Sequence, residues 1–172
     1  MTMTRMIALS RIHYPVTQLG PGRRVGIWLQ GCSIRCAGCI SMDTWAQGRG
    51  VTTVEEVLTA ITPWAAEAQG FTVSGGEPFQ QPDALAELLR GIVAWRSGRP
   101  ASGPDAVDIL VYTGYTLSRL RRAEWSARLL ALCDAVVKSL SRVPMVRIKS
   151  ASRPSLLAAV DPLEPIGPAF IG

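Results

Sequence analysis

Residues 25–39 read V-G-I-W-L-Q-G-C-S-I-R-C-A-G-C: a short apolar run reaches Gln30-Gly31 and passes without a break into three cysteines. The run from Val25 to Gln30 follows a Gly-Pro-Gly turn at Gly20 to Gly22 and has the pattern of a buried strand. Whatever the cysteines hold is therefore carried on the loop at that strand's carboxyl end.

Further along the chain the same theme recurs. Gly70 to Ser74 contains F-T-V and ends in Gly75-Gly76-Glu77-Pro78, a strand that stops in a glycine turn. Ala106 to Tyr112 reads A-V-D-I-L-V-Y and runs into Thr113-Gly114-Tyr115, and Asp134 to Lys138 forms a fourth strand. Between the first two strands, Val54, Val57, Leu58, Ile61, Trp64, Ala65 and Ala68 recur at helical spacing. Thr53 and Glu56 frame the start of that helix as a capping box, and Pro63 predicts a kink near its end. A second helix begins at Pro82 and shows Leu85, Leu88, Leu89, Ile92 and Val93 on one face; a third contains Leu117 and Leu120. Ser97 to Asp105 is a Gly, Pro and Ser-rich loop.

Strands alternating with helices imply right-handed crossovers and a mostly parallel sheet, with the functional loops at the carboxyl ends of the strands. The expected fold is α/β, an open partial (β/α) barrel. Both glycine turns and the cysteine loop then lie on one face. Periodicity fades from Ser139 and prolines multiply, so the chain divides into a domain over residues 1–152 and an irregular tail over 153–172.

A chain of 172 residues, 48% hydrophobic, can bury one real core but not two. It contains no run of 18 apolar residues, and Met1 to Gly20 lacks the apolar segment of a signal peptide. The expectation is a cytoplasmic protein with no membrane association. A formal charge of +5 raises the question of nucleic acid, but the arginines are scattered and only Arg119, Arg121 and Arg122 cluster. That grouping reads as the solvated face of an amphipathic helix, so nucleic acid is not expected as a partner.

Three of the four cysteines fall within eight residues, as Cys32-x-x-x-Cys36-x-x-Cys39, which suits an inorganic centre better than a disulfide framework. A structural zinc takes four protein ligands. The candidates for a fourth, His13 and Cys133, are far away in sequence. A cubane iron–sulfur cluster on three cysteines keeps one iron open to a cofactor or substrate. Cys133 by itself reads as a small core residue.

The segment W-L-Q-G-C-S-I-R-C-A-G-C-I-S-M-D-T-W resembles the radical S-adenosylmethionine superfamily. More narrowly it is similar to the activating proteins of anaerobic ribonucleoside-triphosphate reductase and to pyruvate formate-lyase activating enzyme, through Gln30-Gly31, Gly38 and Trp45. The resemblance runs from about Ile7 to Val137. It implies that Cys32, Cys36 and Cys39 hold a [4Fe-4S] cluster, whose open iron is chelated by the methionine part of S-adenosyl-L-methionine. It further implies that the turn Gly75, Gly76, Glu77 and Pro78 binds the methionine amino group, its glycines admitting the ligand closely. Gly38 and Ile40 would offer backbone contacts to adenine, and Tyr115, in a segment like the family's Y-T-G-Y, would line the ribose or substrate region. The implied reaction is reductive cleavage of S-adenosylmethionine to a 5′-deoxyadenosyl radical. The implied partners are a glycyl radical enzyme, which loses a hydrogen atom from a glycine, and an electron donor such as a flavodoxin or ferredoxin.

After the fourth strand the resemblance ends. The activating proteins continue there with an acidic residue and a glycine, then a segment rich in Arg, Gly, Ser and Asn, whereas this chain has Lys138-Ser139-Leu140 and a proline-rich end. Two alternatives therefore stand beside the activase: the same radical chemistry on a peptide or small molecule, and a non-catalytic iron–sulfur or zinc protein. The Gly-Gly-Glu-Pro turn speaks against the last, because a structural centre needs no methionine pocket.

Overall fold

A computed structural model describes residues 5–100, 106–138 and 146–149. The expected boundary at residue 152, the tail beyond it and part of the loop over 97–105 lie outside the described residues. Among the described residues, seven strands form one open sheet: β1 (Met6–Val16), β2 (Arg24–Leu29), β3 (Val51–Thr53), β4 (Gly70–Gly75), β5 (Asp108–Thr113), β6 (Ala135–Lys138) and β7 (Val146–Lys149). Their spatial order is β3-β1-β2-β4-β5-β6-β7. The four strands expected from the sequence, β2, β4, β5 and β6, are its parallel centre.

The other three strands add to the edges. β1 lies antiparallel to β2 and β3 antiparallel to β1 on one side, and β7 lies antiparallel to β6 on the other. β3 is three residues long and β7 alternates apolar with basic residues, while β1 is apolar only over Met6 to Leu9 before Ser10, Arg11 and His13 interrupt it. β1 alternates exposed and half-buried residues along much of its length, as an antiparallel strand near a sheet edge does.

The helices α1 (Val54–Ala65), α2 (Pro82–Arg96), α3 (Leu117–Arg122) and α4 (Ser126–Leu130) connect the parallel strands. α1 begins with the expected capping box: Thr53 Oγ1 accepts from Glu56 N, and Glu56 Oε2 accepts from Thr53 N. Pro63 lies inside its last turn. α2 opens on Pro82 at its first position, where a missing N–H costs no intrahelical bond.

Alternation along the parallel strands sorts their side chains between two faces. Val25, Ile27 and Leu29, Phe71 and Val73, Ile109 and Val111, and Val136 share one hydrophobic core with Val57, Ile61, Leu85, Leu88, Leu89 and Ile92 of the helices. The alternate residues, among them Arg24, Trp28, Thr72, Asp108 and Tyr112, belong to the opposite face by the same period.

At the amino ends of the strands that opposite face is closed by a buried charge. The Arg24 side chain is fully buried. It forms an ion pair with Asp108 at 2.6 Å and donates from Nε to Thr72 Oγ1 at 2.6 Å, from Nη1 to the Pro21 carbonyl at 3.0 Å and from Nη2 to the Phe71 carbonyl at 2.9 Å. The loop before β2 is thereby tied under β4 and β5, so the end of the sheet away from the cysteines is sealed. Among the described residues no helix is long and apolar enough to cross a membrane.

Candidate functional site

Since β2, β4 and β5 are parallel and in register, with Leu29 opposite Gly75 and Val73 opposite Val111, their carboxyl ends bring three loops together. Those loops carry Cys32, Cys36 and Cys39, then Gly75 to Pro78, then Thr113 to Tyr115.

The cysteine loop is closed on itself by the segment returning from it. Gly31 N donates to the Thr44 carbonyl at 2.7 Å and Cys32 N to the Trp45 carbonyl at 3.2 Å. Gln30, the buried residue ahead of the motif, reaches across from its side chain to the Ala46 carbonyl at 2.8 Å. Cys39 N donates to the Cys36 carbonyl at 3.2 Å, making a tight turn, and Gly38 at φ 72° supplies the left-handed step that this turn needs. All three cysteines are free thiols and half-buried.

The donor set tests what such a loop can hold. Ser41 N points at Cys39 Sγ, 3.4 Å away, as a donor to a thiolate would. Among the described residues, no three His, Cys, Asp or Glu side chains gather closely enough to hold a single metal ion. Three accessible thiols on one wrapped loop, with a backbone N–H aimed at one sulfur, are ligand chemistry suited to an iron–sulfur cluster. His13 is exposed on β1 and faces Gly26 of β2, three positions back from Leu29, so the register holds it away from the loop. Cys133 is buried just before β6, at the sealed end of the sheet, and burial pushes its thiol up to about 12. It is the core residue that the sequence suggested.

The Gly75–Pro78 turn packs closely against the end of β2 and the start of the cysteine loop. A Cβ on Gly76 would stand 2.2 Å from the Gly31 carbonyl oxygen, so the glycine is required by the backbone of the cysteine loop. Gly76 N donates to the Leu29 carbonyl at 2.8 Å and Glu77 N to the Gly31 carbonyl at 3.0 Å. Gly75, at φ 96°, would place a Cβ 2.5 Å from the Leu29 oxygen. Gly75 thus lies against the end of β2, and Gly76 against the start of the cysteine loop.

Glu77 is almost wholly buried, and its carboxylate acts as a strut. Oε1 accepts from Phe79 N at 3.1 Å and from Thr113 Oγ1 at 2.9 Å, while Oε2 accepts from Gly114 N at 2.8 Å. Burial raises its pKa, against the pull of those hydrogen bonds and of the Arg119 charge. Pro78 is buried and opens a single 3-10 turn ending at Gln80. Tyr115 is half-buried beneath the Arg119 guanidinium, which lies 4.2 Å from its ring centre. Ile40 is the outlier: 96% exposed beside Cys39, an apolar side chain left in solvent.

Several residues that build this site were not marked by sequence reasoning. Gln81 clamps the top of the sheet, accepting from Ala8 N at 2.7 Å and donating to the carbonyls of Gln30 at 3.0 Å and Ala8 at 3.2 Å. Arg11 of β1 lies 5.1 Å from the ring centre of Trp28 and pairs with Asp43 in the segment that returns from the cysteines. The available signal was the pair Gln80-Gln81, two long amides placed directly between a glycine turn and a helix-starting proline.

The family described as "4Fe-4S single cluster domain" matches residues 18–147. The chain is 32% identical over 120 residues to the anaerobic ribonucleoside-triphosphate reductase-activating protein of Salmonella typhi, covering 65% of this chain and 72% of that protein. The protein of the same name from Escherichia coli K12 is 29% identical over 117 residues, with the same coverage. The pyruvate formate-lyase-activating enzyme of Listeria monocytogenes is 39% identical over 89 residues, 47% of this chain but only 36% of that enzyme. Among solved structures, QueE from Escherichia coli superposes with a TM-score of 0.48 at 18% identity, over 63% of this chain and 52% of that one.

Proposed function

The chain belongs to the 4Fe-4S single cluster domain family as a radical S-adenosylmethionine enzyme related to the glycyl radical activases, and from that premise we propose that it generates a glycyl radical on a partner enzyme. The observation that carries this reading is the meeting of three loops at the open end of a parallel sheet whose other end is sealed by Arg24 and Asp108. In this reading Cys32, Cys36 and Cys39 hold the cluster. Gly75, Gly76, Glu77, Pro78, Gly38, Ile40 and Tyr115 surround S-adenosylmethionine.

When bound, the reduced cluster and S-adenosylmethionine together supply a 5′-deoxyadenosyl radical. The chain's own residues supply position. Gln30, Thr44 and Trp45 fix the cysteine loop from one side, and Glu77 fixes it from the other through its N–H group on the Gly31 carbonyl. Glu77 holds the third loop at the distance set by its two oxygens, so the three walls are tied together. An exposed Ile40 beside Cys39 leaves an apolar contact for a docking protein at the mouth of the site. A glycyl radical enzyme is the partner, with a flavodoxin or ferredoxin as electron source in a reducing cytoplasm.

The test is anaerobic incubation of the reconstituted protein with a candidate glycyl radical enzyme, S-adenosylmethionine and a strong reductant. The expected result is a glycine-centred radical in the partner by electron paramagnetic resonance, with roughly one 5′-deoxyadenosine formed per radical. A second reading, modification of a peptide or small molecule, is favoured by the departure from the activating proteins after Lys138. Repeated turnover of such a substrate, with no radical in any candidate partner, would replace the activase reading with it.

A further inference from the structure

Gln80 lies at the end of the 3-10 turn that follows Gly75–Glu77 and is half-buried between all three loops. Its carboxamide is used from both ends. Oε1 accepts from Ser33 N at 3.1 Å, while Nε2 donates to Ser33 Oγ at 2.6 Å and to Tyr115 OH at 3.1 Å. Ser33 is the residue after Cys32, and it is exposed, so no packing holds it in place. Backbone bonds fix Gly31 and Cys32 on the inner side of the loop through Thr44 and Trp45. On the outer side, the contact recorded for Ser33 is this amide.

We propose that Gln80 is a positioning residue for the cysteine loop, its carboxamide holding the Ser33 end of the motif against Tyr115 so that the cluster ligand Cys32 keeps a fixed place relative to the wall of the cofactor site. The inference rests on the reading that these cysteines carry the cluster. Its physical basis is geometric: an amide presents an acceptor and a two-proton donor in one plane, which matches a backbone N–H beside two hydroxyls. Tyr115 thereby acquires a second function besides lining the site, because its hydroxyl receives the far end of the link. Glu77 and Gln80 are three residues apart on one turn, and both fasten to the loop after β5, one through Thr113 and Gly114 and the other through Tyr115.

The experiment uses the full chain with and without cluster. Gln80→Leu keeps the side-chain volume and removes all three hydrogen bonds. In the iron-free protein it is expected to raise the alkylation rate of Cys32 relative to Cys36 by roughly five-fold, the scale of one net hydrogen bond lost from the folded loop. In the reconstituted protein it should alter the electron paramagnetic resonance spectrum of the reduced cluster and weaken S-adenosylmethionine binding, with iron content kept. Gln80→Glu should restore the wild-type alkylation ratio, since a carboxylate still accepts from Ser33 N and both hydroxyls can turn to donate to it. Should Gln80→Leu fail to fold, the Ser33→Ala, Tyr115→Phe double variant removes the two hydroxyl partners and is expected to shift both readouts in the same direction. A folded Gln80→Leu protein with the wild-type alkylation ratio and spectrum overturns the proposal, as does a Gln80→Glu protein as impaired as the Leu variant. If the unaltered protein takes up no cluster, the proposed function fails, and the alkylation ratio of the iron-free protein still decides whether Gln80 holds the loop.

Discussion

Glu77 and Gly114, 37 residues apart in the chain, are joined by a 2.8 Å hydrogen bond from the Gly114 N–H to Glu77 Oε2. The bond ties the end of β4 to the end of β5, and with the Thr113 hydroxyl on the other oxygen it makes one carboxylate a shared fixture of two loops. Its charge is held in a nearly dry place, which gives it a pH signature. Burial is the largest influence and raises the carboxyl above its ordinary 4.5, with the hydrogen bonds and Arg119 opposing.

For a folded-state pKa raised above the unfolded one, the contribution to stability is complete below the unfolded value and is lost as pH rises through the folded value. Glu77→Gln cannot titrate and should cost about 1–3 kcal/mol, because Nε2 cannot accept from Gly114 N and a buried donor is left unpaired. The stability gap between wild type and Glu77→Gln, measured by urea unfolding, should therefore be widest below pH 4.5 and narrow above it. A gap that widens with rising pH would show that the hydrogen bonds outweigh burial.

Gly76→Val should release the cysteine loop. Its Cβ would meet the Gly31 carbonyl at 2.2 Å, so either the turn or the loop must move, and iron uptake should fall together with S-adenosylmethionine binding. Gly48→Ala is the control: that glycine has a positive φ, which Gly76 does not, but nothing lies within 4 Å of an added Cβ. It should cost only about 1–2 kcal/mol of backbone strain and leave iron content unchanged. Full iron loading of a folded Gly76→Val protein would mean that the two backbones do not need their close approach.

The four thiols should separate cleanly in the iron-free protein. Cys133 is buried, with its pKa pushed up to about 12, so at neutral pH it carries almost no thiolate and should resist alkylation in the folded chain. Cys32, Cys36 and Cys39 are half-buried and should react. Replacing any of those three by Ala should abolish the roughly four irons per chain expected on reconstitution, whereas Cys133→Ala should not. Loss of iron on removing Cys133 would contradict its place at the sealed end of the sheet.

Breaking the Arg24–Asp108 pair should be the most costly single change outside the site. Asp108→Asn leaves a fully buried guanidinium without its counter-charge, for which about 3–5 kcal/mol is typical. Arg24→Met and Asp108→Asn together should recover part of that loss, because neither charge then needs a partner. Chemical denaturation of the two variants checks the expectation, and a double variant no better than Asp108→Asn would mean that the arginine's bonds to Thr72, Pro21 and Phe71 matter more than its charge.

The sequence by itself determined the parallel centre of the sheet, because strands buried on both faces must be apolar almost throughout, as V-G-I-W-L and D-I-L-V-Y are. It also determined the cysteine loop and the two glycine turns, since ligand chemistry and tight turns are written in residue type and short spacing. The antiparallel strands β1, β3 and β7 were not legible: β1 is apolar only at its start and keeps exposed positions beyond it, and β3 is only three residues long, so neither carries a sustained apolar signal. The placement of Ile40 in solvent, of Glu77 across two loops and of Gln80 against Ser33 and Tyr115 was decided only by the tertiary structure. Each depends on which atoms meet after strands distant in sequence have paired, and a hydrogen bond between residues 35 to 47 positions apart has no local periodicity to announce it. The same holds for one reason Gly76 is a glycine: only the fold shows that an added Cβ would meet the carbonyl of Gly31.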